Sequence, residues 1–125
     1  MPAFENRVSF VTGAGSGIGE AMALKLAAEG STVVCSDINE QGAQATAARV
    51  EELGAKASVS ALDTANEEAV KEALAKTKRD FGRLDVLMNN AGVAAKDWKT
   101  TTTIDLDGVY FGLVHACPIM VEQGG

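Results

Sequence analysis

Four glycines fall within seven positions of the stretch VTGAGSGIGE, at Gly13, Gly15, Gly17 and Gly19. Glycine weakens regular structure, so such density calls for something that must approach the backbone closely. A phosphate is such a group: the unpaired N–H groups and positive dipole end of a helix N terminus hold it when no side chain intervenes. Three of the glycines fit a GxxxGxG spacing. In that pattern Gly13 permits the sharp turn, Gly17 lets a pyrophosphate approach, and Gly19 lets helix pack closely on strand. The commoner GxGxxG spacing fails here, because from Gly13 it reaches Ile18 where glycine or alanine belongs. Ser16, inside the loop, is uncharged. A plain structural turn is the competing reading. The preceding strand, the following helix and an acid ending the next strand favour phosphate over it.

That acid is Asp37, at the end of STVVCSD. A carboxylate at the tip of a second strand can accept from both hydroxyls of an adenosine ribose, and it repels a 2′-phosphate. Its neighbours Ser36, Ile38 and Asn39 supply no positive charge to offset that repulsion. The alternative is a solvated turn residue or a cap on the next helix. Asp63, closing KASVSALD, could accept from an adenine amino group, cap the helix starting near Thr64, or do both. Asn89 and Asn90 end a fourth apolar run, and Asn89 is expected to tie loops together.

Alternating elements must position these residues. Strands are expected over 7–12, 31–37, 56–63 and 83–92. Ile18, Met22 and Leu26 mark one face of a helix over 17–29. Ala43, Ala47, Val50 and Leu53 mark a second helix, closed by Gly54. Val70, Leu74, Thr77 and Phe81 mark a third, with Glu67 and Glu68 in its first turn, where the macrodipole favours acids, and Gly82 after it. A long apolar helix is expected from about 101 to 123. Strand and helix alternating in such short units means right-handed crossovers and a parallel sheet, an α/β class, with strand order 3-2-1-4. The fourth strand's open edge and the last helix, apolar over more than one face, are expected to be covered by a second copy, making a homo-oligomer.

At 125 residues the chain reads as one domain, with 46% apolar and 22% charged residues. Its net charge of −6 argues against nucleic acid or an anionic membrane as partner. Cys35 and Cys117 read as buried free thiols, with no metal-ligand spacing. The N terminus does not have the pattern of a signal peptide, and no apolar run reaches the roughly 20 residues that span a bilayer. The expected location is therefore cytoplasmic.

With TGAGSGIG at 12–19, Asp37, LD at 62–63 and NNAG at 89–92, all in order, the sequence resembles the short-chain dehydrogenase/reductase family over essentially its whole length. The resemblance implies a Rossmann-type doubly wound parallel sheet, here ending after the fourth strand and the helix that follows. It implies NAD as cofactor, with Gly13, Ser16, Gly17, Ile18 and Gly19 at the pyrophosphate. It places Asp37 on the ribose, Leu62 and Asp63 at the adenine end with Asp63 as ligand, and Asn90, Ala91 and Gly92 against the cofactor's sugar. The implied chemistry is hydride transfer between nicotinamide and an alcohol or carbonyl substrate, using a serine, a tyrosine and a lysine four residues after the tyrosine.

Those three are expected beyond Gly125, where the family's fifth strand begins. Tyr110 has Val114 at the lysine position and reads as a packing residue. His115 reads as a helix-face residue. Asp105 falls where the family places a relay asparagine; it can accept from a water but cannot donate an amide N–H. The expectation is that residues 1–125 alone bind NAD without catalysing, and act on a substrate only if the chain continues. Two alternatives stand beside this: a stand-alone, non-catalytic nucleotide-binding module, and an S-adenosylmethionine-dependent methyltransferase. The latter is disfavoured because no acid precedes the loop and NNAG has no counterpart there.

Overall fold

The computed structural model of the chain describes residues 3–91 and 106–124. Within them the elements run β1 (Val8–Thr12), α1 (Gly17–Ala28), β2 (Thr32–Asp37), α2 (Glu40–Glu52), β3 (Ala57–Ala61), α3 (Glu67–Phe81), β4 (Val86–Met88) and α4 (Gly108–Glu122). The four strands form one parallel sheet in the order β3-β2-β1-β4. The chain therefore reverses direction across the sheet between β1 and β4, and a crevice opens above their C-terminal ends.

Alternation along the strands divides the core into two layers. Val11, Val33 and Cys35 pack with Ala23, Leu26 and Ala27 of α1 and Ala43, Ala47 and Val50 of α2. Phe10 and Val34 face the opposite layer, with Val70 and Leu74 of α3 and Ala116 of α4. β1 is buried along its whole length because both faces are covered. Helix starts follow their caps: Asn39 Oδ1 accepts from Gly42 N–H at 3.2 Å, and Asn66 Oδ1 from Ala69 N–H at 3.1 Å. Gly82 ends α3 at a φ of +79°, a left-handed turn that suits glycine.

Some expectations need correction. Ile18 and Leu53 leave their helix stripes and are 69% and 53% exposed. Ile18 sits in the first turn of α1, above the sheet, and Leu53 lies past the last turn of α2, so neither has a layer beneath it. Cys35 is buried as expected, but Cys117 is exposed, on the side of α4 away from α3 and the sheet. β3 stops at Ala61 and β4 covers three residues, which leaves Leu62, Asp63, Asn89 and Asn90 in the loops at the strand ends. Gly92, Asp105 and the expected start of the last helix lie outside the described residues.

Two polar anchors hold the N-terminal end of β4. The Asp85 carboxylate accepts from Val8 N–H at 2.9 Å and takes a forked pair from Arg83 at 2.6 and 2.7 Å, with Arg7 at 3.5 Å. Burial pushes its pKa up, but Arg83, the Val8 N–H and Arg7 together outweigh that and hold the carboxyl below the usual range. Just beyond α4, Gln123 pairs with both backbone groups of Leu84: its Oε1 accepts from the N–H at 3.1 Å and its Nε2 donates to the C=O.

Candidate nucleotide site

The glycine loop joins β1 to α1 at the C-terminal edge of the sheet. Gly13 turns there with a φ of +67°, and a Cβ on it would lie 2.9 Å from Asn90 Nδ2. A Cβ on Gly19 would run into the carbonyl of Gly13, so helix and loop close on each other only without a side chain. Gly17 differs. It also holds a left-handed φ, of +58°, but among the described residues nothing lies within 4 Å of a Cβ built on it.

Ser16 stands at the N-cap of α1, yet its side chain makes no capping hydrogen bond. The first N–H bonded within the helix is that of Glu20, to Ser16 O at 3.3 Å. The N–H groups of Gly17, Ile18 and Gly19 precede it, at the positive end of the helix dipole. An uncharged hydroxyl, free backbone donors and a position without a Cβ are what a pyrophosphate needs.

Asp37 ends β2 beside this loop. Its Oδ2 accepts from Gly15 N–H at 2.8 Å and its Oδ1 from Asn39 N–H at 2.9 Å. Each carboxylate oxygen has a second lone pair, so two sites remain for a ligand's hydroxyls. Asp63 Oδ1 accepts from Ala65 N–H at 2.9 Å, which makes a local turn ahead of α3, whose cap is Asn66.

The fourth strand reaches the site through Thr12. Its hydroxyl donates to Met88 O at 3.2 Å and accepts from the N–H groups of Asn90 and Ala91, at 2.9 and 3.0 Å. One hydroxyl with all its hydrogen-bonding capacity used thus sets the segment 88–91 against the glycine loop. Asn89 Nδ2 donates to Val109 O at 3.4 Å, tying the strand end to α4.

These residues surround a cleft of about 390 Å³ lined by Gly13, Ser16, Ile18, Asp37, Ile38, Leu62, Asp63, Thr64, Asn90 and Ala91. Ile18 and Ile38 supply exposed aliphatic walls. The size suits part of a dinucleotide, with apolar walls and a few convergent polar groups. Asp105 and Gly92 lie outside the described residues. Tyr110 is exposed and stacks edge-on against Phe111, at 6.3 Å between ring centroids. His115 Nε2 lies 3.1 Å from Glu67 Oε1, at the α3–α4 contact and outside the cleft lining.

Sequence reasoning missed Thr12, Gly15, Ile38 and Thr64. A Cβ on Gly15 would lie 2.8 Å from Asp37 Oδ2, so this glycine makes room for the acid. The hydroxyl just before the first glycine was a usable sign of Thr12's role. Nothing local marks Ile38 or Thr64.

A family model described as short chain dehydrogenase matches residues 7–125. This chain belongs to the short-chain dehydrogenase family. Among curated members it is 36% identical to D-threitol dehydrogenase of Mycolicibacterium smegmatis, over 97% of this chain and 50% of that protein. It is also 36% identical to levodione reductase of Leifsonia aquatica, with the same coverage of both chains. Among solved structures it resembles an NAD+-bound xylitol dehydrogenase, with a TM-score of 0.92 and 34% identity over 97% of this chain and 50% of the other. A short-chain dehydrogenase from Mycobacterium paratuberculosis bound to NAD gives a TM-score of 0.89 and 26% identity, over 97% and 53% of the two chains. The chain spans about half the length of these short-chain dehydrogenases, and the matched half is the family's nucleotide-binding region. No helix among the described residues is long and apolar enough to cross a membrane.

Proposed function

We propose that the chain provides the NAD(H) site of a short-chain dehydrogenase whose substrate is a small alcohol or carbonyl compound. The observation that carries this is Asp37. It stands at the cleft with two lone pairs to spare, and among the described residues none lining the cleft is basic. A ribose 2′-hydroxyl gains a hydrogen bond there, whereas a 2′-phosphate meets an unshielded carboxylate. Bound nicotinamide cofactor supplies the carbon that accepts or donates hydride. The residues described here hold its adenosine and pyrophosphate ends: Ser16 and the α1 N–H groups at the phosphates, Asp37 at the ribose, Leu62 and Asp63 near the adenine. Asn90, Ala91 and Gly92 complete the assignment next to the sugar, and residues 1–125 act as one dinucleotide-binding domain. Calorimetric titration with NAD+ and NADP+ tests the reading. NAD+ is expected to bind more tightly, and Asp37→Ala to narrow the gap; equal or tighter binding of NADP+ by the unaltered protein refutes it.

We also propose that the protein self-associates. Tyr110, Leu113, Val114 and Val121 leave α4 with an exposed apolar surface, and such surfaces on a helix are commonly covered by another subunit. Light scattering decides the matter; a monodisperse monomer at high concentration refutes it.

A further inference from the structure

We infer that Thr46, on α2 and outside the cleft, is a positioning residue for the adenosine end of the cofactor; this rests on the nucleotide-site reading above. The peptide joining Ala14 to Gly15 is held at both ends by side chains from different elements. Its C=O accepts from the Thr46 hydroxyl at 2.8 Å, and its N–H donates to Asp37 Oδ2 at 2.8 Å. Thr46 and Ala14 are both fully buried, so bulk water does not stand in for the hydroxyl. A hydroxyl has one proton to donate. Gly42 O and Glu20 Oε2 lie farther away, at 3.2 and 3.4 Å. Gly42 O also sits in the α2 hydrogen-bond ladder, which leaves Ala14 O as the acceptor that needs the proton.

The first turn of α2 lies directly on the loop. A Cβ on Gly42 would be 3.0 Å from Gly15 O, and one on Gly15 would be 3.2 Å from the Gly42 carbonyl carbon. Backbone meets backbone there, and Thr46, one turn later, latches the contact. A peptide plane fixed at its C=O by α2 and at its N–H by Asp37 has one orientation. That orientation in turn fixes the carboxylate, whose other oxygen is held by Asn39 N–H at 2.9 Å. The lone pairs left over then face the cleft in a set direction.

Without the Thr46 proton, Ala14 C=O is buried and unpaired, and the loop relaxes toward arrangements that hydrate it. Apparent affinity falls in proportion to the fraction of molecules that keep the binding arrangement. Thr46→Val retains the shape and removes the proton. In the complete protein it is expected to weaken NAD+ and ADP-ribose by roughly tenfold, as a competent fraction of about one in ten implies. It is also expected to shrink the preference for NAD+ over NADP+, because Asp37 loses its fixed orientation, and Thr46→Ser should restore both. A threonine that merely stabilised the fold would lower the melting temperature without moving that preference.

If Thr46→Val does not fold, Gly42→Ala serves instead: it removes no donor or acceptor, pushes on Gly15 O at 3.0 Å and favours the helix. It should weaken NAD+ out of proportion to any change in the melting temperature. Folded Thr46→Val, or failing that Gly42→Ala, that binds NAD+ within about twofold of the unaltered protein overturns the inference. So does a Thr46→Val defect that serine does not rescue. Unaltered protein that binds no dinucleotide overturns the nucleotide-site reading, and this inference with it; that failure is distinct because it precedes any substitution.

Discussion

Removing the Gln123 side chain should cost stability out of proportion to its place at the end of α4. Leu84 is completely buried, and its N–H and C=O are both satisfied by the Gln123 carboxamide. Lys78 Nζ approaches the same Oε1 at 3.4 Å. Gln123→Ala leaves two backbone groups without partners, at about 1–3 kcal/mol each. Gln123 is itself only partly buried, so water reaches some of the gap and the lower half of that range applies. The expected loss is about 2–4 kcal/mol, read as a shift in the urea midpoint at unchanged slope. Gln123→Glu sharpens the test. It keeps the acceptor but sets a carboxylate oxygen against Leu84 O and near Asp85 Oδ1, which lies 3.5 Å from Nε2. At neutral pH it should be at least as damaging as alanine, and part of the loss should return on mild acidification as the new carboxyl protonates. Stability of Gln123→Ala within about 0.5 kcal/mol of the unaltered protein, the usual scatter of surface substitutions, would refute the reasoning.

Asp85 is held below the ordinary carboxylate range in the fold, so its contribution is complete above the unfolded value of about 4 and lost as pH falls through the folded value. Asp85→Asn should flatten the acid limb of the stability–pH curve. Burial pushes Cys35 up to about 11, so stability should fall as pH rises from about 9, where the unfolded thiol begins to ionise, toward the folded value; Cys35→Ala should remove that slope. An aromatic disulfide reagent at pH 8 should modify exposed Cys117 at once and Cys35 only after denaturation. Ser36 Oγ is buried and has no hydrogen-bond partner among the described residues, so Ser36→Ala should raise stability by about 1 kcal/mol in thermal unfolding.

Fold class and strand order are legible in the sequence because the helices between the strands carry their own stripes, as with Val70, Leu74 and Thr77 ahead of Gly82. Leu53 and Ile18 mislead for a shared reason: each continues a periodic stripe past the point where the sheet still lies beneath it. Cys117 misleads because apolar neighbours in sequence do not say which side of α4 meets α3. Within the site, Asp37 and Asn90 are legible from their places at strand ends, which position alone marks. The roles of Thr46 and Gln123 are not. Each acts on backbone far away in the chain, Ala14 and Leu84, and no local pattern marks a side chain that completes another segment's hydrogen bonds.

The Thr12 hydroxyl joins segments 76–79 residues apart. A ribosome adding about 5–20 residues per second brings the second segment out roughly 4–15 s after the first. During that interval β1 has β2 beside it but no β4, and the wall of the cleft formed by Asn90 and Ala91 does not yet exist. The glycine loop emerges early, yet the hydroxyl that ends β1 waits for its partners. The capacity to hold a nucleotide is therefore acquired only once residues 88–91 have emerged, and a growing chain stalled before residue 88 presents the loop without the site.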